Sequence, residues 1–406
     1  MGKAARRLGV VASAALCLTA AAGHPATSGP ARHTRQTVEV RYTSRAALRR
    51  AVAARPAELV RLVAPLRVAE LRPSRAAGAY ARQIRRAAGI AGARLTVPRR
   101  PVDLQQASAD DVAGEWQYYS VGVERVPRWV AAAAARLTIA VVDTGADVTS
   151  PALAHKVRGT YNARTGRRRV RDTNGHGTFV ASLAGGVRRR ADGFVGFGGA
   201  ARLLVVKVSR STSFSDVAVA GGIVYAVRHP ARIVNLSVAG RTPSIVEQAA
   251  IEYAARHGVL VVAAAGNDAL AGDPPEYPAA FLQPVGSNGI GGLGISVGAS
   301  DSSGARAAFS EFGSFVSLAA PGESVFGARL HGTYGYASGT SFAAPEVAGV
   351  AALVWAADPK LTFRQVAAIL KRSATGQGIW SPDLGFGVID AAAAVRRAAA
   401  AASAGS

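Results

Sequence analysis

The sequence predicts an α/β fold built on a central, mostly parallel sheet with helices on both faces, and three observations carry that expectation. Five short runs are rich in small and β-branched apolar residues with no polar alternation: RLTIAVVDTG (136–145), RLLVVKVS (202–209), RIVNLSVAG (232–240), GVLVVAAAGN (258–267) and GISVGASD (294–301). Helical patterns such as SDVAVAGGIVYAVRH, SIVEQAAIEYAARHG and FRQVAAILKRSA lie between or after them. Strands without alternation, separated by helices, are strands buried on both faces of a parallel sheet. Third, polar residues stand where the runs stop, and in such sheets the chemistry collects just past the carboxyl ends of the strands.

The elements follow in chain order. Residues 1–7, MGKAARR, are basic, and LGVVASAALCLTAAAG behind them is an apolar stretch too short to span a bilayer comfortably. With Ala20, Ala21 and Ala22 as small cleavage-site residues, 1–22 are expected to be a secretory signal peptide, which makes the protein secreted, extracellular or periplasmic. Cys17, the only cysteine, lies inside that stretch, and Leu16 before it argues against a lipid anchor. A processed chain then holds no thiol and relies on its core, and on any bound ion, for stability. No second apolar run long enough for a membrane span is found, so no span is expected. The net charge of +23 is mostly arginine scattered through the 406 residues, without a basic helix or aromatic-basic interleaving, so nucleic acid is not expected as a partner.

From about 36 to 100 the patterns shorten. TVEVRY reads as a strand, SRAALRRAVAARP as a helix with Ser44 as its cap, and LRVAELRP as a strand. AGAYARQIRRAAG follows as a helix and ARLTVP as a last strand, together a small α/β module with no catalytic constellation. PRRPVDLQQASADDVAGE (98–115) has the composition of a linker. The large domain begins near Trp116.

Four segments of that domain carry chemistry. The first strand ends at Asp143, which by itself is equally a turn residue. NGHGT sets His176 on a glycine turn before a helix, and an imidazole there suits a general base at neutral pH rather than a core filler. AAAGN puts the Asn267 amide at another strand end. GTSFAAP puts Ser341 at a helix N-terminus, where a helix cap and a nucleophile are both open readings. Pro345 is expected in the first turn of that helix, where its missing N–H breaks nothing.

The order Asp, His, Ser and the segments VVDTG, NGHGT, AAAGN and GTSFAAP closely resemble the signature segments of the subtilisin-like serine peptidases. The resemblance runs from about Trp116 to GFGVIDAAAAVRRA. It implies a subtilisin-like three-layer domain over 111–399 with a tail at 400–406, and makes Ser341 the nucleophile of an acyl-enzyme, His176 its base, Asp143 the orienting carboxylate and Asn267 an oxyanion donor. It also implies a polypeptide substrate held as an added strand against Ser237, Val238, Ala239, Ala265 and Gly266, with Asp268 near the pocket as a feature favouring a basic residue. Tyr277 and Pro278 are then structural. Residues 23–110 match, more loosely, the propeptides of these enzymes, which assist folding and act as intramolecular inhibitors until self-cleavage, expected between about 98 and 115. A monomer that requires no cofactor is implied. Calcium is a frequent structural ion in the family, but GGVRRRADGFVGFGG, where one site often lies, carries three arginines and no ligand set is assigned, so the metal residues are none. The alternatives are a relic of the fold that only binds, and a basic surface-binding protein resting on the net charge.

Overall fold

The computed structural model describes residues 36–101, 115–187, 195–210 and 213–404. The expected signal peptide (1–22), Cys17 and the arginine run at 188–190 lie outside the described residues. Along the chain the first elements are β1 (Val38–Tyr42), α1 (Arg45–Ala54), β2 (Ala57–Val63), β3 (Val68–Pro73), α2 (Ala77–Ile84), β4 (Ile90–Leu95) and β5 (Pro98–Pro101). Then follow α3 (Trp116–Ser120), α4 (Arg128–Ala133), β6 (Thr138–Asp143), β7 (Val157–Asn162), α5 (His176–Gly185), β8 (Arg202–Lys207), β9 (Phe214–Ser215) and α6 (Asp216–Arg228). The chain continues through β10 (Ile233–Leu236), β11 (Val238–Ala239), α7 (Ile245–Arg256), β12 (Leu260–Ala264), α8 (Ala279–Leu282), β13 (Gly294–Ser300) and β14 (Leu318–Pro321). It closes with β15 (Val325–Ala328), β16 (Tyr334–Ala337), α9 (Thr340–Ala357), α10 (Phe363–Ser373) and α11 (Ala391–Ala404).

The central sheet has seven strands in the order β14-β13-β12-β10-β6-β8-β7, every neighbouring pair parallel. Its strands split their side chains between two cores. Ile139 and Val141 of β6 join the face covered by α5, α9, α10 and α11, whereas Ala140 and Val142 join the face covered by α6, α7 and α8. That two-sided burial is why these strands show no alternation in the sequence. Helix α9 is buried over all 18 of its residues, with Phe342, Leu353 and Trp355 among them. Each such large side chain contributes about 1.5 to 3 kcal/mol relative to exposure. Long and apolar enough to cross a bilayer by composition alone, α9 is instead the central helix of this core.

The five apolar runs found in the sequence are β6, β8, β10, β12 and β13. The edge strands β7 and β14 were not anticipated: β7 is only partly buried and carries Arg158, while β14 is four residues ending in proline, so neither has the apolar run of an inner strand. Residues 38–95 form a four-stranded antiparallel sheet, order β2-β3-β1-β4, with Ser44 capping α1 through a bond from the Ala47 N–H at 3.1 Å. Strand β2, AELVRLV, is an addition to the expected pattern. Val63 and Val68 enter the cluster of α6 and α7, so this sheet packs directly on the large domain.

One expectation is corrected. Residues 98–101 belong to a strand rather than a linker: β5 pairs with β11 on one side and β9 on the other, because their backbones offer the hydrogen bonds that a polar, proline-flanked segment lacks by itself. The remainder of the proposed linker, 102–114, lies outside the described residues. The last helix runs into the stretch expected as a tail, to Ala404, since an alanine-rich segment readily continues a helix.

Candidate active site

Three carboxyl-end segments of the sheet and the starts of two helices, α5 and α9, converge. Strand β6 delivers Asp143, fully buried, and α5 begins with His176, 1% exposed. The His176 Nδ1 lies 2.8 Å from Asp143 Oδ1, which also accepts from the Thr144 N–H at 2.6 Å. A carboxylate against Nδ1 places the ring proton there and leaves Nε2 as the acceptor. Among the described residues Nε2 has no hydrogen-bond partner.

The turn that presents His176 is held by a residue absent from the expected set. Asp172 accepts from the N–H groups of Asn174, Gly175 and Thr178 at 2.9, 3.0 and 3.0 Å and from Thr178 Oγ1 at 2.7 Å. It also accepts from Thr144 Oγ1 at 3.0 Å, and that oxygen takes the Gly177 N–H at 2.9 Å, so the end of β6 and the start of α5 share one network. Burial alone would raise the Asp172 carboxyl, but the bonds from Gly175, Thr178 and Asn174 outweigh it and hold the group below its ordinary value. An acid four residues before a histidine turn was visible in DTNGH; its role depends on loop geometry that spacing alone does not give.

Ser341 does not cap its helix. The N-cap of α9 is Gly339, and Ser341 is the second helical residue, fully buried. Its Oγ donates to the Ser237 carbonyl at 3.1 Å, while Ser237 Oγ donates to the Ser341 carbonyl at 2.7 Å. That carbonyl is free to accept because Pro345, four residues on, has no N–H to give it. Pro345 therefore sits in the second turn, one turn later than expected, and its missing bond is replaced by Ser237. The Ser237 side chain, itself receiving Asn235 Nδ2 at 2.9 Å, thus ties the end of β10 to the start of α9.

Asn267 Oδ1 accepts from the Thr340 N–H at 3.0 Å and from Thr340 Oγ1 at 2.8 Å. Because a backbone N–H can only meet the amide oxygen, the flip of the side chain is fixed and Nδ2 remains as a donor. Gly339, at φ 154°, leaves room beside it: a Cβ there would stand 3.0 Å from Asn267 Nδ2. Thr340 Oγ1 further accepts from the Gly266 N–H at 3.2 Å, so the threonine ties the AAAGN strand end to the serine helix.

Of the other expected residues, Val238 and Ala239 form the edge strand β11, paired antiparallel with Pro101 and Arg100 of β5, and the Ala239 methyl does not prevent that pairing. Ala265 is buried, its N–H bonded to the Val297 carbonyl at 2.8 Å. Asp268 Oδ2 accepts from Arg100 Nη2 at 2.6 Å and from Arg241 Nε and Nη2 at 3.0 and 2.8 Å. Two buried acids lie behind it. Burial, then Asp268, push Glu276 up to about 7; burial, then Asp273 and Glu276, push Glu311 up to about 9. Tyr277 exchanges backbone hydrogen bonds with Gly240. Among the described residues no cluster of three His, Cys, Asp or Glu side chains is placed to hold a metal ion.

The arrangement sets an imidazole acceptor, a helix-borne hydroxyl and an amide donor on neighbouring segments, with the edge strand β11 taking up the extended β5. The subtilase family matches residues 135–387, a span that includes Asp143, His176, Asn267 and Ser341. Thermitase from Thermoactinomyces vulgaris is 37% identical over 240 residues, 59% of this chain and 81% of that protein. Subtilisin Savinase from Lederbergia lenta is 36% identical over 260 residues, 64% of this chain and 90% of that protein. In fold, the chain is similar to the crystal structure of fervidolysin from Fervidobacterium pennivorans, with a TM-score of 0.75 at 24% identity over 89% of this chain and 61% of that one. On this match, spread over the whole parallel-sheet domain, the chain belongs to the subtilase family and is a serine-type endopeptidase.

Proposed function

We propose that the protein is a secreted endopeptidase made as a zymogen, which cleaves polypeptides through an acyl-enzyme on Ser341. The observation that carries the mechanism is the buried Asp143–His176 contact of 2.8 Å, with Nε2 left as the acceptor for a nucleophile's proton. Rotation about the Ser341 Cα–Cβ bond exchanges the Ser237 carbonyl for His176 Nε2. The imidazole takes the hydroxyl proton as Oγ attacks the scissile carbonyl, and Asp143 stabilises the imidazolium that forms. The negative oxygen is met by Asn267 Nδ2 and the Ser341 N–H at the start of α9, where the helix dipole favours an anion. His176 then gives its proton to the leaving amine, and water repeats the sequence to release the acid. Acid, base and nucleophile all come from side chains, so no cofactor enters the reaction.

The zymogen part of the reading is supported by β5. A segment of the chain's own prosegment lies on β11, the edge where a substrate strand would add, and so competes with substrate until it is cut and released. Secretion is supported by the composition of residues 1–22. The test expresses the wild type and Ser341→Ala side by side. The wild type matures and labels with a fluorophosphonate at Ser341, whereas the variant accumulates as full-length precursor. Maturation of the purified variant would refute self-processing, and a folded, mature wild type that does not label would favour the binding-only relic.

A further inference from the structure

Among the described residues, a buried acid facing β5 has no ion-pair partner within the large domain. Glu247 lies in the first turn of α7, its N–H bonded to Oγ of the cap residue Ser244 at 3.3 Å. Serine followed by glutamate three residues on is the spacing of a capping box, in which the glutamate turns back to the cap. Here the carboxylate turns to the prosegment instead. Arg99 Nε donates to Oε1 and Oε2 at 3.0 and 2.9 Å and Nη2 donates to Oε2 at 2.5 Å, with both side chains 0% exposed. Among the described residues Arg99 is the one cation within ion-pair distance of Glu247. Burial pushes the Glu247 carboxyl up to about 7 even beside that guanidinium. The slot is also shaped for the stem, since a Cβ on Gly240 would stand 3.0 Å from Arg99 Nη1 and 3.3 Å from its Cδ.

The next residue of β5 meets acids too. Arg100 Nη2 lies 2.6 Å from Asp268 Oδ2 and 3.6 Å from Glu276 Oε1. Asp268 keeps Arg241 as a partner when β5 leaves, but Glu247 then loses its one ion-pair partner among the described residues, and an incoming chain that fills the slot again must supply a cation to avoid burying an unpaired carboxylate. The register says which residue of a substrate that is. Pro101 pairs with Val238 and Arg100 with Ala239, so a substrate strand in the same register sets its following residue opposite Ser237, whose carbonyl holds Ser341 Oγ. A cut after that residue makes the place of Arg100 third, and that of Arg99 fourth, before the scissile bond.

We propose that Glu247 is a specificity-determining residue that selects arginine fourth before the scissile bond, with Asp268 and Glu276 favouring a second basic residue in the third place. Preferred substrates are polypeptides carrying a paired-arginine motif two residues upstream of the residue pair that is cut, a class also represented by the chain's own Arg99 and Arg100. The inference rests on the reading of this cleft as a peptidase site.

The test uses the mature wild type and Glu247→Gln on casein and on quenched peptides that differ only in Arg or Leu at the fourth and third places. For the wild type, kcat/KM with Arg in the fourth place exceeds that with Leu by roughly 10- to 100-fold, the range for a charge-assisted pair. In Glu247→Gln this ratio falls close to one while casein turnover persists. Casein cleavage without any arginine preference in the wild type overturns the proposal and leaves the peptidase reading standing. A folded wild type that cleaves neither casein nor any peptide refutes the peptidase reading, and the proposal with it. Should Glu247→Gln fail to fold, the wild-type peptide ratio alone decides, and equal rates overturn the proposal.

Discussion

Ser341, Ser237 and Pro345 form a unit in which each residue explains another. Proline removes one N–H from α9, the carbonyl of Ser341 is thereby unsatisfied, and the Ser237 hydroxyl fills the gap at 2.7 Å. Asn267 is set in the same economical way, with Thr340 occupying the amide oxygen so that only the N–H side faces the site. Asn267→Ala is expected to fold and to lose about 100- to 1,000-fold in kcat, the loss measured for one such donor in subtilisin, with KM little changed. Steady-state kinetics on a peptide substrate check this, and turnover above about a third of wild type would contradict the role.

At the scale of elements, the helix starts differ in what holds them. Helix α1 has an ordinary serine cap and α10 a capping box from Thr362 and Gln365, both readable from local sequence. Helix α5 begins at a glycine with no capping side chain, and Asp172 supplies the acceptors from outside the helix. Asp172→Ala leaves the buried Thr178 N–H unpaired, at about 1 to 3 kcal/mol, and the partly buried N–H groups of Asn174 and Gly175 at less. The expected result is a Tm lowered by several degrees with a larger proportional loss in kcat than in KM, because His176 rides on that turn. Asp172→Asn, which keeps one acceptor oxygen, should recover part of both; equal damage to kcat by a distant core substitution of matched stability loss would deny it a positioning role. The depressed carboxyl of Asp172 contributes stability above its unfolded pKa, lost only as pH falls through its lower folded value.

Over the whole molecule, the buried acids give a pH dependence of opposite sign. Glu276 and Glu311 have folded pKa values of about 7 and about 9 against 4.5 unfolded. Their protonated forms are favoured by folding, so this stability is complete below about pH 4.5 and is lost as pH rises through 7 and then 9. Lys156 and Lys371, lowered to about 8 by burial, act the other way above pH 8, so the comparison is best made with a variant. Glu311→Gln should match the wild-type Tm at pH 5 and exceed it at pH 9.5; identical Tm profiles in thermal melts across that range would exclude a buried, proton-holding Glu311. How far the molecule was legible beforehand follows a physical division. Five inner strands, the helices after them and the segments carrying Asp143, His176, Asn267 and Ser341 were readable because burial on both faces and tight turns constrain residue type locally. The edge strands β7 and β14, the strand made by 98–101, the positioning work of Asp172 and Ser237, and the Arg99–Glu247 pair across 148 residues were not. Each of these depends on a partner distant in the chain: an edge strand needs only one neighbour, a proline-flanked segment becomes a strand only where backbones wait for it, and a carboxylate goes to its helix cap or to a guanidinium according to which one folding brings within reach.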